Sequence, residues 1–433
     1  MILFYWLVAI MPLDQHWLWG HELLPSFTIA KVLGILCLCV ALFRMFIGEA
    51  PVERLFRTET RWFLAFAVCL CIAILQPTAM GMGTSAYFHV FSIIALFITV
   101  LVLVDSRPRL YLTLLTTIGA TGFVSLYALR AQQKYAYTSD FVRPGGMFGD
   151  ANEYALVVGV WMPIAFIWAI SRRPRWERLF SFGCLLSCLV GTTFAASRGG
   201  FFGMVASFLY LVVRSRRPVR NLLVVTALMA PLLFASSASV VRRFTQPRLG
   251  DDQAKEARLI VWAAGMRMIQ QHPLLGIGIN NFKSVVAQYE VLDPDQREVV
   301  SVAHNTYIEI AAELGVPTLI VYLAVFIAII RTLELARRRA NAARLTHLTN
   351  IALGLQAGLI AYLVSSFFMS AWWEKLLWLA VFISMCLFGL TAGLHPRVRR
   401  HGTRDHAETR GDGATHETIV LATLSDVPQA HEP

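Results

Sequence analysis

Three short stretches of this sequence carry side chains suited to chemistry. Arg198 stands in Ser197-Arg198-Gly199-Gly200, Arg258 stands four residues before Trp262, and His304 opens the run His304-Asn305-Thr306-Tyr307-Ile308-Glu309-Ile310-Ala311-Ala312-Glu313-Leu314-Gly315-Val316-Pro317-Thr318. A guanidinium presents donors in a planar fork together with a permanent charge, which suits anionic oxygens and phosphate above all. An imidazole titrates near neutrality and can take a proton from a hydroxyl. Taken alone, each stretch also has a plainer reading: an arginine snorkelling to lipid phosphates, a solvated arginine on an amphipathic surface helix, and a histidine that caps.

The elements that must position these residues are dissolved in lipid. Of the 433 residues 57% are hydrophobic and 15% charged, whereas soluble domains are about one quarter charged. The apolar residues fall in runs of roughly 16 to 27, the length that crosses a bilayer. An ordinary soluble enzyme is excluded. About twelve spans are expected, near 2–13, 26–47, 62–77, 84–104, 110–129, 153–170, 179–196, 199–213, 221–240, 305–330, 350–370 and 376–394. The expected fold is an all-α polytopic membrane protein, with residues 1–395 as one transmembrane domain, a long outer loop over about 241–303 carrying short helices, and a disordered cytoplasmic tail over 396–433.

The 38 Lys and Arg behind the net charge of +11 are expected in alternate connections, among them Arg172, Arg173, Arg175 and Arg178, and Arg331, Arg337, Arg338, Arg339 and Arg344. The positive-inside bias puts those connections, and with them both termini, in the cytoplasm. The basic balance therefore reports topology, and no nucleic-acid partner is implied. Arg130, Lys134 and Arg143 break the pattern by falling in the outer loop before the sixth span. The first segment lacks a basic leader and a small-residue cleavage site and reads as a retained span. All seven cysteines lie inside spans, so neither disulfides nor a thiolate metal site is implied. No metal and no cofactor are expected, and no glycine loop leads from a strand into a helix to cradle phosphate.

Within the long outer loop, acidic Asp251 and Asp252 open a helical stretch in which Leu259, Trp262, Met266 and Ile269 form an apolar stripe suited to lying on a membrane. Arg258 and Trp262, four apart, share a face. Pro273 ends that helix, and Gly276-Ile277-Gly278-Ile279-Asn280-Asn281-Phe282 reads as a turn before a shorter one. The helix from His304 to Ile330 would be roughly 40 Å long against a hydrocarbon core of roughly 30 Å, so its first turns are expected to project outward. Glu309 and Glu313 then read as solvated charges on the projecting part, with orientation of a basic partner by Glu313 as the alternative.

The run from His304 to Thr318 resembles the signature of bacterial O-antigen ligases and the related O-antigen polymerase superfamily: His-Asn, nine residues, Gly, two residues, then Gly, Thr or Tyr. This sequence fills it with His304, Asn305, Gly315 and Thr318. Ser197-Arg198-Gly199-Gly200, the Arg258 to Trp262 pair and His272-Pro273-Leu274-Leu275-Gly276-Ile277-Gly278 agree in order and side. Arg143-Pro144-Gly145-Gly146-Met147-Phe148-Gly149-Asp150-Ala151-Asn152 is similar to the family's Phe-Gly-Asn-Pro-Asn stretch and departs from it at Asp150 and Ala151.

The resemblance implies a metal-independent, inverting glycosyltransferase of the bacterial inner membrane, with its active site facing the periplasm. It would move a glycan from undecaprenyl diphosphate to an acceptor hydroxyl. Arg198 and Arg258 would hold the diphosphate, His304 would act as general base, and Arg143 and Asn305 would bind substrate. The partners implied are the undecaprenyl-diphosphate-linked donor, lipid A core as acceptor, and membrane lipids. A polymerase of O-antigen or exopolysaccharide and a protein O-oligosaccharyltransferase share these motifs and stand as alternatives, with a growing glycan or a protein as acceptor. A transporter would place ionisable residues near mid-membrane, whereas the distinctive charges here gather at one face.

Overall fold

The computed structural model describes residues 1–13, 28–50, 52–75, 85–135, 150–195, 197–215, 218–235, 249–291 and 301–394. Arg143 and the 396–433 tail lie outside the described residues. Among the described residues every regular element is a helix. In chain order these are α1 (Ile2–Ile10), α2 (Ile29–Phe46), α3 (Arg61–Ile74), α4 (Ser85–Leu103), α5 (Arg107–Tyr135), α6 (Ala151–Ile170), α7 (Arg175–Ala195) and α8 (Arg198–Val213). They continue with α9 (Pro218–Ala235), α10 (Leu249–Gln271), the single turn α11 (Phe282–Val285), α12 (Thr306–Leu314), α13 (Val316–Ala342), α14 (Thr346–Ser365) and α15 (Lys375–Thr391).

Seven of these helices are long and apolar enough to cross a membrane: α2, most of α4, α5, α6, α7, α13 and α14 with its C-terminal extension. The shorter apolar helices α1, α3, α8 and α15 belong to the same bundle, and Leu376–Leu387 of α15 are buried in it. The chain is thus built as a multi-pass membrane protein. Burial separates the spans into inner and peripheral ones: 89% of α6 is buried inside the protein and 17% of α2. A helix apolar on every side belongs either in a core or in lipid. α6 takes the first place, packed by α7, α8 and α14, with Trp161, Trp168 and Tyr154 fully buried.

The expected tenth span is two helices. Gly315 adopts φ +86 between α12 and α13, a conformation glycine reaches without steric cost. Gly315 and Pro317, which opens α13, mark the break locally, and a reading by span length alone passes over them. α13 then continues to Ala342, which puts Arg331, Arg337, Arg338 and Arg339 on a helix instead of in a loop. Arg130 and Lys134 likewise ride on the end of α5, beyond the span expected to stop near 129.

The stripe expected on α10 is divided. Val261, Ala264 and Met268 form the buried face against Ile277, Phe282, Val286 and Ala312, with Ile269 packed at its edge. Leu259 and Met266 are exposed on another side, at 64% and 47%. α10 therefore docks on protein through a face one residue round from the expected stripe. Small residues make that approach close: a Cβ on Gly265 would come within 2.6 Å of Ile308.

Candidate functional site

The end of the bundle where α6 and α8 begin assembles the candidate residues. Ser197 caps α8 by accepting a hydrogen bond from the Gly200 amide at 3.2 Å. Gly199 and Gly200 let the first turn sit between neighbours, since an added Cβ would come within 2.7 Å of Phe368 and 2.5 Å of Ala155. The Ser365 hydroxyl donates to the Gly199 carbonyl at 3.1 Å. Arg198 is therefore carried by a helix start clamped between α6 and α14, its side chain half-buried.

Trp262 links the Arg258 helix to His304. Its indole Nε1 donates to the Ala303 carbonyl at 2.8 Å, directly before His304. His304 itself has φ +47, a left-handed backbone that a non-glycine residue adopts at a cost. Asn305 is 2% exposed, and its side-chain oxygen accepts from the Tyr307 and Ile308 amides at 3.0 and 3.2 Å, capping α12. Strain at His304 is thus held between a pinned carbonyl on one side and a capped helix on the other. The side chain expected to bind substrate at Asn305 spends its oxygen on the cap.

The loop between α14 and α15 fixes α12 from below. Thr306 Oγ1 donates to the Met369 carbonyl at 2.6 Å and accepts from the Ala371 amide at 3.2 Å. The Tyr307 hydroxyl donates to the Leu363 carbonyl at 2.5 Å.

The turn at 272–278 is locked to the other end of α12. The Ile277 and Gly278 amides donate to the Ala312 and Glu313 carbonyls at 2.9 and 3.0 Å, and the Val316 amide donates to Pro273 at 2.9 Å. Gly276, at φ +71, and Gly315 stand where a Cβ would come within 2.3 Å of the Glu313 backbone and 2.1 Å of the Leu274 carbonyl oxygen.

Glu309 and Glu313 are not the solvated charges their helix position suggested. Each is 3% exposed. The Glu313 carboxylate accepts from the Asn280 and Phe282 amides, both at 2.9 Å, and so holds backbone instead of a basic partner. Burial pushes its carboxyl up to about 7, with those two amides pulling the other way. Burial, then the neighbouring Glu313 charge, drives the Glu309 carboxyl well above the usual range.

Electrostatics tie the dispersed residues into one site. Burial, then the nearby Arg198 charge, lowers the Arg258 guanidinium from its ordinary basicity, and Asp150 opposes them. Burial, then the Arg258 charge, lowers His304 from its ordinary range, and Asp150 again pulls it upward. Arg198, Arg258 and His304 therefore lie in one field. Asp150, which the sequence did not single out as a site residue, faces two of them. Its carboxylate caps α6, accepting from the Asn152 and Glu153 amides at 2.6 and 3.1 Å. The spacing Asp150 to Glu153 is a helix-start signature, which was visible in the sequence without saying what else the charge would meet. Among the described residues neither Arg198 nor Arg258 makes an ion pair. A lowered His304 is neutral at pH 7 and free to accept a proton, while two crowded guanidiniums invite an anion.

Residues 180–323 match the family model described as O-antigen ligase. That segment carries the superfamily's domain. It runs from α7 into α13, about a third of the chain, and contains Arg198, Arg258 and His304. The family match supports a membrane enzyme of glycosyltransferase type, with lipid-linked glycans as its class of substrate. No curated protein matches the chain.

Proposed function

We propose that this protein is an O-antigen ligase-type transferase that moves a glycan from undecaprenyl diphosphate to a hydroxyl of lipid A core at the periplasmic face of the bacterial inner membrane. The observation that supports the reading is that the Arg198 charge acts on Arg258 and the Arg258 charge on His304 at one end of the bundle, with no ion pair to either guanidinium among the described residues. His304 takes the proton of the acceptor hydroxyl as its oxygen attacks the anomeric carbon. The bond from that carbon to the diphosphate oxygen breaks, and the diphosphate leaves with the electron pair. Arg198 and Arg258 stabilise the charge that develops there, a role in which fixed donors act strongly because the site is partly withdrawn from water. Attack from the face opposite the leaving group inverts the anomeric centre. The guanidiniums supply the positive charge that a metal would otherwise bring to a diphosphate, so the step is written without one. Arg143 is proposed to extend the anion site from the segment before Asp150.

The acceptor decides between a ligase, a polymerase and a protein-modifying enzyme. Purified protein given an undecaprenyl-diphosphate glycan together with core lipid A, with excess donor, or with a pilin-like protein is expected to glycosylate core lipid A. Transfer only to donor or only to protein would replace the ligase by that alternative. No transfer to any of the three would remove the reading.

A further inference from the structure

Four aromatic rings are in successive contact between the two arginine-bearing helices. Trp262, one turn beyond Arg258, meets Phe367 edge-on with ring centroids 5.5 Å apart. Phe367 meets Phe368 at 5.3 Å, and Phe368 stacks on Phe202 of α8 at 5.6 Å and 28°. Phe202 is itself one turn beyond Arg198. Each end of the ribbon thus lies about 6 Å of helix rise from a guanidinium.

The ribbon is open, unlike the core aromatics. Phe202 is 43% and Phe367 47% exposed, whereas Phe63 and Phe66 are 0% exposed. Its backbone is nonetheless fixed, through the Ser365 to Gly199 and Thr306 to Met369 hydrogen bonds. The ribbon is thus a fixed, half-open apolar surface. It also continues along α8: Phe202, Val205, Leu209 and Val213 fall on one face and are 43%, 43%, 55% and 70% exposed.

We propose that this ribbon binds the first isoprene units of the donor's polyprenyl chain, immediately beside the diphosphate. The proposal rests on the donor assigned above. Phenylalanine rings offer faces and edges to hydrocarbon and no hydrogen-bonding group. A sugar ring would need polar partners beside the platform, and from Gly199 to Val213 α8 offers only Ser207, which is 1% exposed, and Tyr210. The polyprenyl chain changes from charged to wholly apolar at its first carbon. The protein makes the same change within one helical turn, from Arg198 to Phe202 and from Arg258 to Trp262.

The test is binding of geranyl diphosphate and of methyl diphosphate to the full-length protein in detergent, with wild type, Phe202→Ala and Phe367→Ala. The two probes share a diphosphate and differ in isoprene. Wild type is expected to prefer geranyl diphosphate, and each alanine variant to narrow that preference about tenfold, as loss of an aromatic contact face would do. Phe202→Leu and Phe367→Leu keep apolar bulk, guard against misfolding and should narrow it less. Wild type that binds the two probes equally, or alanine variants that keep the full preference, would overturn the ribbon alone. Wild type that binds neither probe would instead overturn the diphosphate site on which the ribbon depends.

Discussion

The two ends of the bundle use arginine in opposite ways. Where α8 ends, several guanidiniums are matched by carboxylates, though Arg339 lies over the Phe388 ring instead: Arg214, Arg337 and Arg338 all bond Glu334 at 2.7 to 2.9 Å. Arg173 reaches Glu177 at 2.7 Å and lies over the Trp168 ring at 3.8 Å. Arg44 divides itself between Glu49 and Asp105. Where α8 begins, Arg198 and Arg258 have each other's like charge and, among the described residues, no ion-pair partner. Matched charges on a surface complete the fold and contribute little energy each. Unmatched like charges crowded together are kept at a cost, and the cost is lifted by an anion.

Removing charge should separate the two ends most sharply. Arg198→Ala and Arg258→Ala are each expected to lower the transfer rate by about a hundredfold to a thousandfold, the loss seen when a donor to developing negative charge is removed. Arg214→Ala should change it by less than about twofold, with a stability change below about 1 kcal/mol. Equal losses at both ends, read in a transfer assay, would dissolve the contrast.

The glycine lock beneath the site has its own control. Gly276→Ala and Gly315→Ala place a Cβ against backbone at positive φ and should destabilise by about 2 kcal/mol or more, measured as a fall in Tm. Gly48 also has positive φ, at +79, with nothing within 4 Å of an added Cβ. Gly48→Ala should therefore lower Tm by clearly less.

Two smaller effects sharpen the picture at His304. Trp262→Phe keeps the ring and deletes the bond to Ala303, a loss of about 1 kcal/mol. Transfer should fall about fivefold while Tm barely moves. Asp150→Asn removes the one charge that raises His304. A general base works when deprotonated, and without Asp150 the imidazole loses its proton at lower pH. The acidic limb of the pH-rate profile should therefore move downward, by less than about one unit. An upward shift would contradict the sign.

Much of this was legible because lipid leaves few options. Every expected apolar stretch contains helix, since a backbone in hydrocarbon must satisfy its own hydrogen bonds. The motifs around Arg198, Arg258 and His304 were legible too, because the glycines and the tryptophan at fixed offsets are local. The sequence could not disclose what those offsets meet. Phe367, Met369 and Ala371 bond or pack against the motifs from segments tens of residues away, and nothing in their own neighbourhoods marks them. The burial of Glu309 and Glu313 escaped for the same reason: Asn280 and Phe282, whose amides hold Glu313, and Trp372 beside Glu309 are distant in the chain. Asp150 was readable as a helix cap, while its charge acts on residues carried by other elements. The break at Gly315 was marked by that glycine and by Pro317 two residues on, and was masked only by reading 305–330 as one span.

The most direct trial of the central claim is glycan transfer by His304→Ala, measured together with its binding of undecaprenyl-diphosphate donor. If the arginine pair holds the diphosphate and the imidazole serves only the acceptor, the variant will bind donor as wild type does and transfer at least about a hundredfold more slowly. Transfer at the wild-type rate by that variant would contradict the account.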